Sequence, residues 1–379
     1  MKLLREYFWR VVILAIFAAG AVATWIRFTQ GLRAATNLTD TYPWGLWIGF
    51  DILCGVGLAA GGFAITGAVY ILHMEHLRPI VRPTVLTAFL GYVLVVFALM
   101  FDLGRPWAIW HAIIMWNPHS VMFEVAWCVM LYTTVLSLEF LPILFERLGW
   151  QKAIKISKAI TVPLVGIGFI LSTLHQSSLG SLYLILPTKL HPLWYSPLLP
   201  ALFWISAVSA GLAMVIFESG LSARAFGRAL ELSVLKQVAK GMRIFIAVFL
   251  VTRFADLAWR GSLKHAFVFG GSGGQEAAMF WLETCLFLLP AILVSMASVR
   301  ANPQSLFAAS VMVVGAFLAN RLNVSITGLE ASAGARYVPS WMEVAVTMSI
   351  VALGFVIFSY AVRLLPVFPK ESHEQPSHA

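Results

Sequence analysis

Charged residues are scarce in this chain. Only 11% of its 379 residues are Asp, Glu, Lys or Arg, whereas soluble domains carry about 25%. Hydrophobic residues make up 60% of the chain, and its mean hydropathy is +0.85. No soluble core could cover this much apolar surface, so we expect an integral membrane protein whose solvent is the lipid bilayer.

Cysteine and histidine are also rare. The three cysteines, Cys54, Cys128 and Cys285, lie far apart in apolar stretches, and no C-x-x-C motif occurs. This pattern argues against a disulfide framework, a metal site or an iron–sulfur cluster, and we expect three small buried hydrophobic residues. A membrane haem b needs histidines at one depth on facing helices. Of the nine histidines, only His175 is placed to be buried, so we predict no haem.

Apolar runs separated by polar or Pro/Gly-rich breaks predict ten membrane-spanning helices of about 20 residues each. The runs cover residues 11–29, 44–72, 83–102, 119–145, 157–175, 198–219, 242–259, 277–298, 305–322 and 340–366. The first run lacks a convincing cleavage site for a signal peptide, and we expect a retained helix. The chain is therefore predicted to be an all-α polytopic membrane domain over residues 1–369, with a disordered cytoplasmic tail at 370–379.

The distribution of basic residues predicts the orientation. Of the 26 Lys and Arg residues, 17 fall on one side of the predicted spans and 9 on the other, which places both termini in the cytoplasm. The net charge of +9 is thus explained by basic cytoplasmic loops, without nucleic acid as a partner. Outer loops at 103–118 and 176–197 are rich in Trp, Tyr and Pro, and the inner segment 220–241 is expected to form an interfacial helix.

Ionisable residues inside a bilayer cost a few kcal/mol or more, so each one calls for a reason. Eight such residues lie in the outer half of the predicted spans: Asp51, Asp102, Glu124, His175, Arg253, Asp256, Glu283 and Glu343. For Arg253, Asp256 and Glu343, which lie near the interface, snorkelling or structural ion pairs are favoured. Asp51, Asp102, Glu124 and His175 lie on four different helices at similar depth, which favours a polar pocket that opens outward.

The inner half holds fewer acids. Glu139 in the fourth span and Glu218 at the end of the sixth could form a proton path together with Asp51. Alternatively, both glutamates neutralise arginines of the inner loops. The sequence leaves these two interpretations open.

Several segments together resemble a known family. They are TYPWGLWIGFD (41–51), FDLGRPW (101–107), SVMFE (120–124), LEFLPILFERLGW (138–150), LSTLHQSSLGSL (171–182), HPLWYSPLLP (191–200), VTRFADLAWR (251–260), FWLE (280–283) and PSWME (339–343). In order and over residues 40–366, they resemble the NrfD/PsrC family of quinone-interacting membrane subunits, and within it the HybB type.

The resemblance implies two four-helix bundles with flanking helices and no prosthetic group in this chain. It implies a location in the bacterial inner membrane and a menaquinone or ubiquinone site near the periplasmic side. A periplasmic ferredoxin-like iron–sulfur subunit would dock there and exchange electrons with the quinone. For the HybB type, the catalytic partners would be the large and small subunits of a nickel–iron hydrogenase.

The resemblance also suggests roles for individual residues. Asp102 matches the acid of the family's DLGRP motif, and His175 falls in the HQSS run. Together with Glu124 and Asp51 they are our candidates for holding the quinone and handling its protons. Arg105 is expected to stabilise Asp102 or a semiquinone, and Trp107 to lie at the same quinone site.

Two alternatives remain. The chain could serve a sulfur-, sulfite- or cytochrome-linked quinone oxidoreductase, which differs only in the partner. It could also be a secondary transporter, since buried acids occur in both classes. Transporters often carry interrupted helices at matching positions of their repeats, and the sequence shows no such pair. An iron–sulfur subunit that copurifies with the chain would separate the redox proteins from the transporter.

Overall fold

The computed structural model describes residues 2–270 and 274–368. Within these residues, ten long helices account for most of the chain, in agreement with the ten predicted spans. They are α1 (Lys2–Gln30), α2 (Trp47–Tyr70), α3 (Val81–Asp102), α4 (Val121–Leu148), α5 (Gln151–Leu184), α6 (Leu199–Phe226), α7 (Leu232–Trp259), α8 (Gly274–Ser295), α9 (Pro303–Ala333) and α10 (Trp341–Leu364). The predicted tail at 370–379 lies outside the described residues.

Length and composition allow nine of the ten described helices to cross a membrane. The exception is α7, because Lys and Arg residues in its first half add to Arg253 and Asp256 near its end. It nevertheless packs between α6 and α8 along its length. The prediction of a separate interfacial helix in 220–241 is wrong. Helix α6 continues to Phe226, and α7 already begins at Leu232.

The helices form two four-helix bundles. In the first bundle α2 packs on α3, α3 on α4, α4 on α5, and α5 again on α2. In the second bundle α6, α7, α8 and α9 make the same closed set of contacts. Helices α1 and α10 pack on each other and flank the first bundle through α3. The expected architecture of two bundles with flanking helices is therefore confirmed.

The two bundles share a local sequence pattern. The same spacing of 154 residues separates Asp102 from Asp256, Ala112 from Ala266 and Trp127 from Trp281. In each bundle the tryptophan Nε1 donates a hydrogen bond to the carbonyl oxygen of that alanine, at 2.9 Å for Trp127 and 2.7 Å for Trp281. The bundles are thus parallel repeats, with α2–α5 corresponding to α6–α9.

Small residues bring the bundles together. A Cβ atom on Gly211 of α6 would lie 2.3 Å from the backbone nitrogen of Gly61 in α2, so the two backbones touch directly. Close contact of this kind is a common way to pack membrane helices, where van der Waals contact replaces the hydrophobic effect. The helix contact fixes α2 against α6 at the centre of the molecule.

Two helices contain π-helical stretches. Helix α2 begins with a π-helical stretch, Trp47–Cys54, and α9 contains another, Asn323–Thr327. The two stretches meet where the bundles join, with Gly49 against the Ser325 side chain. They occupy the first helix of one repeat and the last helix of the other. These positions do not match, so the pair lacks the arrangement typical of transporters.

Candidate functional site

We call the end of the molecule that holds Asp102 the upper end, and the end that holds Glu146 the lower end. The upper end corresponds to the predicted outer side of the membrane. The loops at this end differ in burial. Most of the loop between α3 and α4 is exposed, whereas Leu190, Leu193 and Trp194 in the loop after α5 are buried.

His175 lies inside the first bundle. It is fully buried, and its Nδ1 shares a 2.8 Å hydrogen bond with the Tyr92 hydroxyl of α3. Helix α5 continues for nine residues beyond it, to Leu184. The sequence placed His175 at the outer end of a span, whereas in the structure the helix extends beyond it. His175 therefore lies deeper in the membrane domain than predicted. The polar residues around it, Tyr92, Tyr132, Ser172, His175 and Gln176, are called the His175 cluster below.

Several polar atoms of the His175 cluster have no hydrogen-bond partner among the described residues. They are the Tyr132 hydroxyl, the Ser172 hydroxyl, His175 Nε2 and Gln176 Oε1. The Tyr183 hydroxyl, which lies above the cluster on α5, also has no hydrogen-bond partner among the described residues. Buried polar atoms of this kind cost free energy unless water or a ligand pairs with them. The cluster thus offers donors and acceptors to a polar group that enters the first bundle.

Glu124 connects this region with the upper surface. Its side chain is exposed and accepts a 2.6 Å hydrogen bond from the Ser178 hydroxyl, one turn above His175 on α5. The start of α4 is capped by the Ser120 side chain, which accepts from the Phe123 backbone N–H. Glu124 therefore lies at the upper entrance to the helices that hold the His175 cluster.

Asp102 lies on a different face of the first bundle, beside α1. The buried Arg27 of α1 donates through Nε to the Phe101 carbonyl and through Nη2 to the Leu103 carbonyl, both at 2.6 Å. These bonds hold the end of α3 and place a positive charge close to Asp102. Arg27 is therefore the buried arginine beside Asp102, whereas Arg105 is exposed in the loop after α3. The role of Arg105 towards Asp102 or a semiquinone stays a prediction.

Asp51 shares this region with Asp102. It is buried on the π-helical stretch of α2 and accepts a 2.8 Å hydrogen bond from the Thr347 hydroxyl of α10. The π-helical stretch packs against α3, the helix that ends at Asp102. Asp51 and Asp102 thus form one group between α1, α2, α3 and α10.

Glu343 has a structural role at the start of α10. It completes a capping box with Ser340 and accepts hydrogen bonds from the Tyr337 hydroxyl and the Asn37 backbone N–H. These contacts tie the segment after α1 to α10. The Glu343 carboxylate accepts hydrogen bonds with both oxygens, which fits the structural role that we predicted for it.

The four main candidates therefore separate into two groups. His175 and Glu124 lie between α3, α4 and α5, whereas Asp51 and Asp102 lie between α2, α3 and the flanking helices. Arg105 and Trp107 belong to neither group, because both side chains are exposed in the loop after α3, Trp107 to 73%. The residues of the predicted pocket thus lie in two separate groups, of which only Asp51 and His175 are buried, and Arg105 and Trp107 lie in an exposed loop.

Glu139 and Glu218 are also separated. Glu139 of α4 faces Gly168 of α5, against which Tyr132 of the His175 cluster also packs. It lines a cavity of about 150 Å³ at the lower end that is shared with Arg82 and Lys158. Glu139 and Tyr132 therefore both lie against Gly168 of α5, between this cavity and His175. We call Glu139 and the His175 cluster the polar column.

Glu218 lies outside that column. It accepts a 2.6 Å hydrogen bond from the Thr87 hydroxyl of α3. Its surroundings are an apolar groove of about 390 Å³ between α3, α6 and α10. Neither glutamate is ion-paired to an inner-loop arginine among the described residues, where Arg82 pairs with Glu146 instead.

The second bundle holds a buried charged group that the sequence only partly revealed. Glu283 of α8 is fully buried and pairs with Arg253 of α7. It also accepts hydrogen bonds from Trp194 Nε1 at 3.2 Å, Asn320 Nδ2 at 3.2 Å and Asn323 Nδ2 at 2.6 Å. We call Arg253, Glu283, Asn320, Arg321 and Asn323 the Glu283 cluster.

Sequence reasoning missed Arg27 and Arg321 as buried residues. It counted both as basic residues of the outer side, although Arg27 is 3% and Arg321 1% exposed. Both lie inside or near the ends of predicted spans, and that position was the available signal. Cys285 is the opposite case, because it is exposed and not buried as expected.

The histidines do not form a pair inside a bundle among the described residues. His191 and His265 do meet, with ring centroids 5.6 Å apart, but in loops at the upper end. The described residues contain no group of three or more His, Cys, Asp or Glu side chains that could hold a metal ion. The lone buried His175 instead hydrogen-bonds to a tyrosine.

Comparisons with known proteins agree with this architecture. A family model described as "Polysulphide reductase, NrfD" matches residues 34–332. The chain is 34% identical to the "Probable Ni/Fe-hydrogenase 2 b-type cytochrome subunit" of Escherichia coli K12, over 90% of this chain and 88% of that protein. It is 30% identical to the "Menaquinone reductase, integral membrane subunit" of Nitratidesulfovibrio vulgaris, over 96% and 92%.

A second protein of Nitratidesulfovibrio vulgaris is 36% identical, over 96% of this chain and 95% of that protein. The two relatives named above are subunits of different redox enzymes, a hydrogenase and a menaquinone reductase. The family model covers both four-helix bundles. The chain therefore belongs to the NrfD family of multi-pass membrane subunits.

Proposed function

We propose that this chain is the quinone-reactive membrane subunit of a multisubunit redox complex in the bacterial inner membrane. The observation that carries the proposal is the His175 cluster, which presents unpartnered donors and acceptors inside a membrane-spanning bundle. The relationship to a menaquinone reductase subunit supports the same interpretation. A quinone is lipid-soluble and carries two carbonyl acceptors, so it is suited to such a site.

The residues of the first bundle have distinct tasks in this proposal. The reduction of a quinone takes up two electrons and two protons, one at each carbonyl oxygen. His175, held by Tyr92, presents Nε2 as a donor to one carbonyl, and Gln176 and Tyr183 lie nearby. Glu124 at the upper entrance and Asp102 with Asp51 on the neighbouring face are acids that can exchange protons with the site.

Electrons would enter at the upper end. The exposed loop after α3 carries Arg105 and a series of exposed tryptophans, Trp107, Trp110 and Trp116. Arg and Trp are enriched at protein interfaces, which supports this loop as the docking face for a ferredoxin-like iron–sulfur subunit. The upper end would then face the periplasm, with both termini in the cytoplasm. The Escherichia coli relative supports a nickel–iron hydrogenase as the catalytic partner.

The quinone site is tested with single variants of the intact complex. We expect His175→Ala and Asp102→Asn each to abolish electron transfer to a soluble quinone analogue while dye reduction by the catalytic subunits persists. His119→Ala and Asp40→Asn are the matched controls, because both side chains are exposed at the upper end. Wild-type quinone turnover in either test variant would remove that residue from the site.

The second part of the proposal concerns protons. The polar column of Glu139, Tyr132 and the His175 cluster supports uptake from the lower, cytoplasmic side. Electron transfer would then be coupled to the membrane potential, at about 2.3 kcal/mol per charge per 100 mV. Glu218, which the sequence placed on the same path together with Asp51, lies in the apolar groove beside Thr87.

Sealed vesicles with the cytoplasmic side inside distinguish these glutamates. We expect Glu139→Gln to slow quinone turnover and to reduce the alkalinisation of the vesicle lumen. Glu218→Gln is the matched control, because Glu218 is half-buried like Glu139 but lies outside the column. If the pH signal is unchanged in Glu139→Gln and in the double variant, there is no proton route through either residue.

The partner and the transporter alternative are tested by purification. We expect an iron–sulfur subunit to copurify with the tagged chain, and the catalytic subunit found with it to show whether hydrogen, sulfur or another substrate is used. A transporter would purify without such a subunit. The unmatched positions of the two π-helical stretches speak against that class.

A further inference from the structure

A small cavity at the upper end of the second bundle is lined by three arginines, Arg253, Arg260 and Arg321, and by one acid, Asp256. Glu276, another buried acid of this end, lies outside the lining. Arg253 pairs with Glu283, and Arg260 pairs with Asp256 at 2.7 Å. Arg321 is 1% exposed and has no carboxylate within hydrogen-bond distance among the described residues. Glu283 is connected to Arg321 through the Asn320 side chain and is already paired with Arg253. One positive charge therefore remains without a counter-charge in a low-dielectric environment, which is costly.

Neutral groups hold Arg321 in place. Its Nη1 donates to Asn320 Oδ1 at 2.7 Å, and its Nη2 donates to the Phe203 carbonyl at 2.9 Å and the Ser206 hydroxyl at 3.0 Å. The guanidinium also stacks over the rings of Phe203 and Phe317. These contacts position the side chain but leave the charge itself unbalanced.

Two buried N–H groups are left over. Arg321 Nε and Arg253 Nη2 have no hydrogen-bond acceptor among the described residues. Both arginines line one small cavity between α6, α7 and α9, which the segment 193–196 covers from above. Arg253 is 4% exposed, so the leftover donors of both side chains are enclosed.

The size of the cavity limits what it can hold. Its volume is about 20 Å³, and a single water molecule needs roughly 10–15 Å³ measured in the same way. A phosphate or sulfate group is too large. A water molecule would fit and could accept both N–H groups, but it would not balance the charge.

We propose that this cavity binds one monovalent anion of halide size, chloride under ordinary conditions, between Arg321 and Arg253. The anion accepts from the two leftover donors and neutralises the surplus charge. It thereby bridges α9 and α7, which lie opposite each other in the second bundle. The site is distinct from the proposed quinone site, which lies in the first bundle.

Chloride binding to the purified full-length chain in detergent tests the proposal. Radioactive chloride in equilibrium dialysis should show about one bound ion per chain. The melting temperature should rise saturably in chloride or bromide, compared with gluconate or sulfate at equal ionic strength. Neither readout depends on quinone turnover, so the result stands apart from the proposed function.

Variants make the test specific. Arg321→Gln should weaken chloride binding by at least about tenfold, because it removes a charged donor. Arg82→Gln, which alters an arginine of the lower end, should bind chloride like the wild type. If Arg321→Gln does not fold, Arg321→Lys decides, because it keeps the buried charge but removes the Nε donor and should also weaken chloride binding.

Three results would overturn the proposal. The first is the absence of bound chloride in the wild type, which would leave a water in the cavity. The second is equal stabilisation by chloride, gluconate and sulfate. The third is chloride binding that persists unchanged in Arg321→Gln or Arg321→Lys.

Discussion

Glu283 is the residue whose replacement should cost this fold the most stability. Its carboxylate is fully buried and accepts hydrogen bonds from Arg253, Trp194, Asn320 and Asn323. Glu283→Gln keeps the shape of the side chain but removes the charge and turns one acceptor into a donor. The change leaves Arg253 as an uncompensated buried cation, and it points an N–H₂ group at other donors.

The expected magnitude follows from burial. Removing one partner of a buried ion pair costs about 3–5 kcal/mol, whereas a partly exposed pair contributes about 0–1 kcal/mol. Glu146→Gln is therefore the matched control, because the Arg82–Glu146 pair at the lower end is 42% and 29% exposed. With about 2 °C per kcal/mol for a long chain, we expect a loss of roughly 6–10 °C for Glu283→Gln and at most about 2 °C for Glu146→Gln.

The assay is thermal unfolding of the purified chain in detergent, followed by tryptophan fluorescence. A double-mutant cycle with Arg253→Met isolates the pair, and we expect the double variant to lose less than the sum of the single variants. Equal shifts for Glu283→Gln and Glu146→Gln would refute the reasoning from burial. Full additivity in the cycle would show that Arg253 and Glu283 do not interact.

Three further predictions concern packing, pH and haem. Gly211→Ala should destabilise the chain by about 1–3 kcal/mol, because its Cβ would overlap the Gly61 backbone. Gly315 has open space around it, so Gly315→Ala should be neutral or stabilising in the same unfolding assay. The pKa of His191 is lowered below its usual 6.5, mainly by burial. The negative charge of Glu276 raises this pKa, and repulsion from His265 lowers it further. Because the unfolded chain then binds the proton more readily, stability should fall as the pH drops below about 6.5, and His191→Gln should flatten this melting-temperature profile. The purified chain should show no stoichiometric b-type band in its reduced-minus-oxidised spectrum, since His175 is the lone buried histidine of the described residues; such a band would contradict the prediction.

The sequence by itself determined the class of the protein. Low charge and long apolar runs dictate a membrane domain of about ten helices, because an unpaired backbone is not tolerated in lipid. It also indicated that the acids gather near one end, since depth in the membrane follows from position along a helix. The motifs around Asp102 and His175 were sufficient to predict the NrfD/PsrC family.

Only the tertiary structure decided which of these residues meet. The spans are apolar on nearly every side, so the sequence does not show which face of a helix points inward. Asp51 accepts a hydrogen bond from Thr347, 296 residues away, and Arg27 donates to the end of α3, 74 residues away. No local sequence pattern predicts such long-range pairs. For the same reason the sequence placed Arg321 among the basic residues of the outer side, although the fold buries it against Phe203 and Ser206. The order of residues sets the depth of each group, whereas the packing of helices sets its partner.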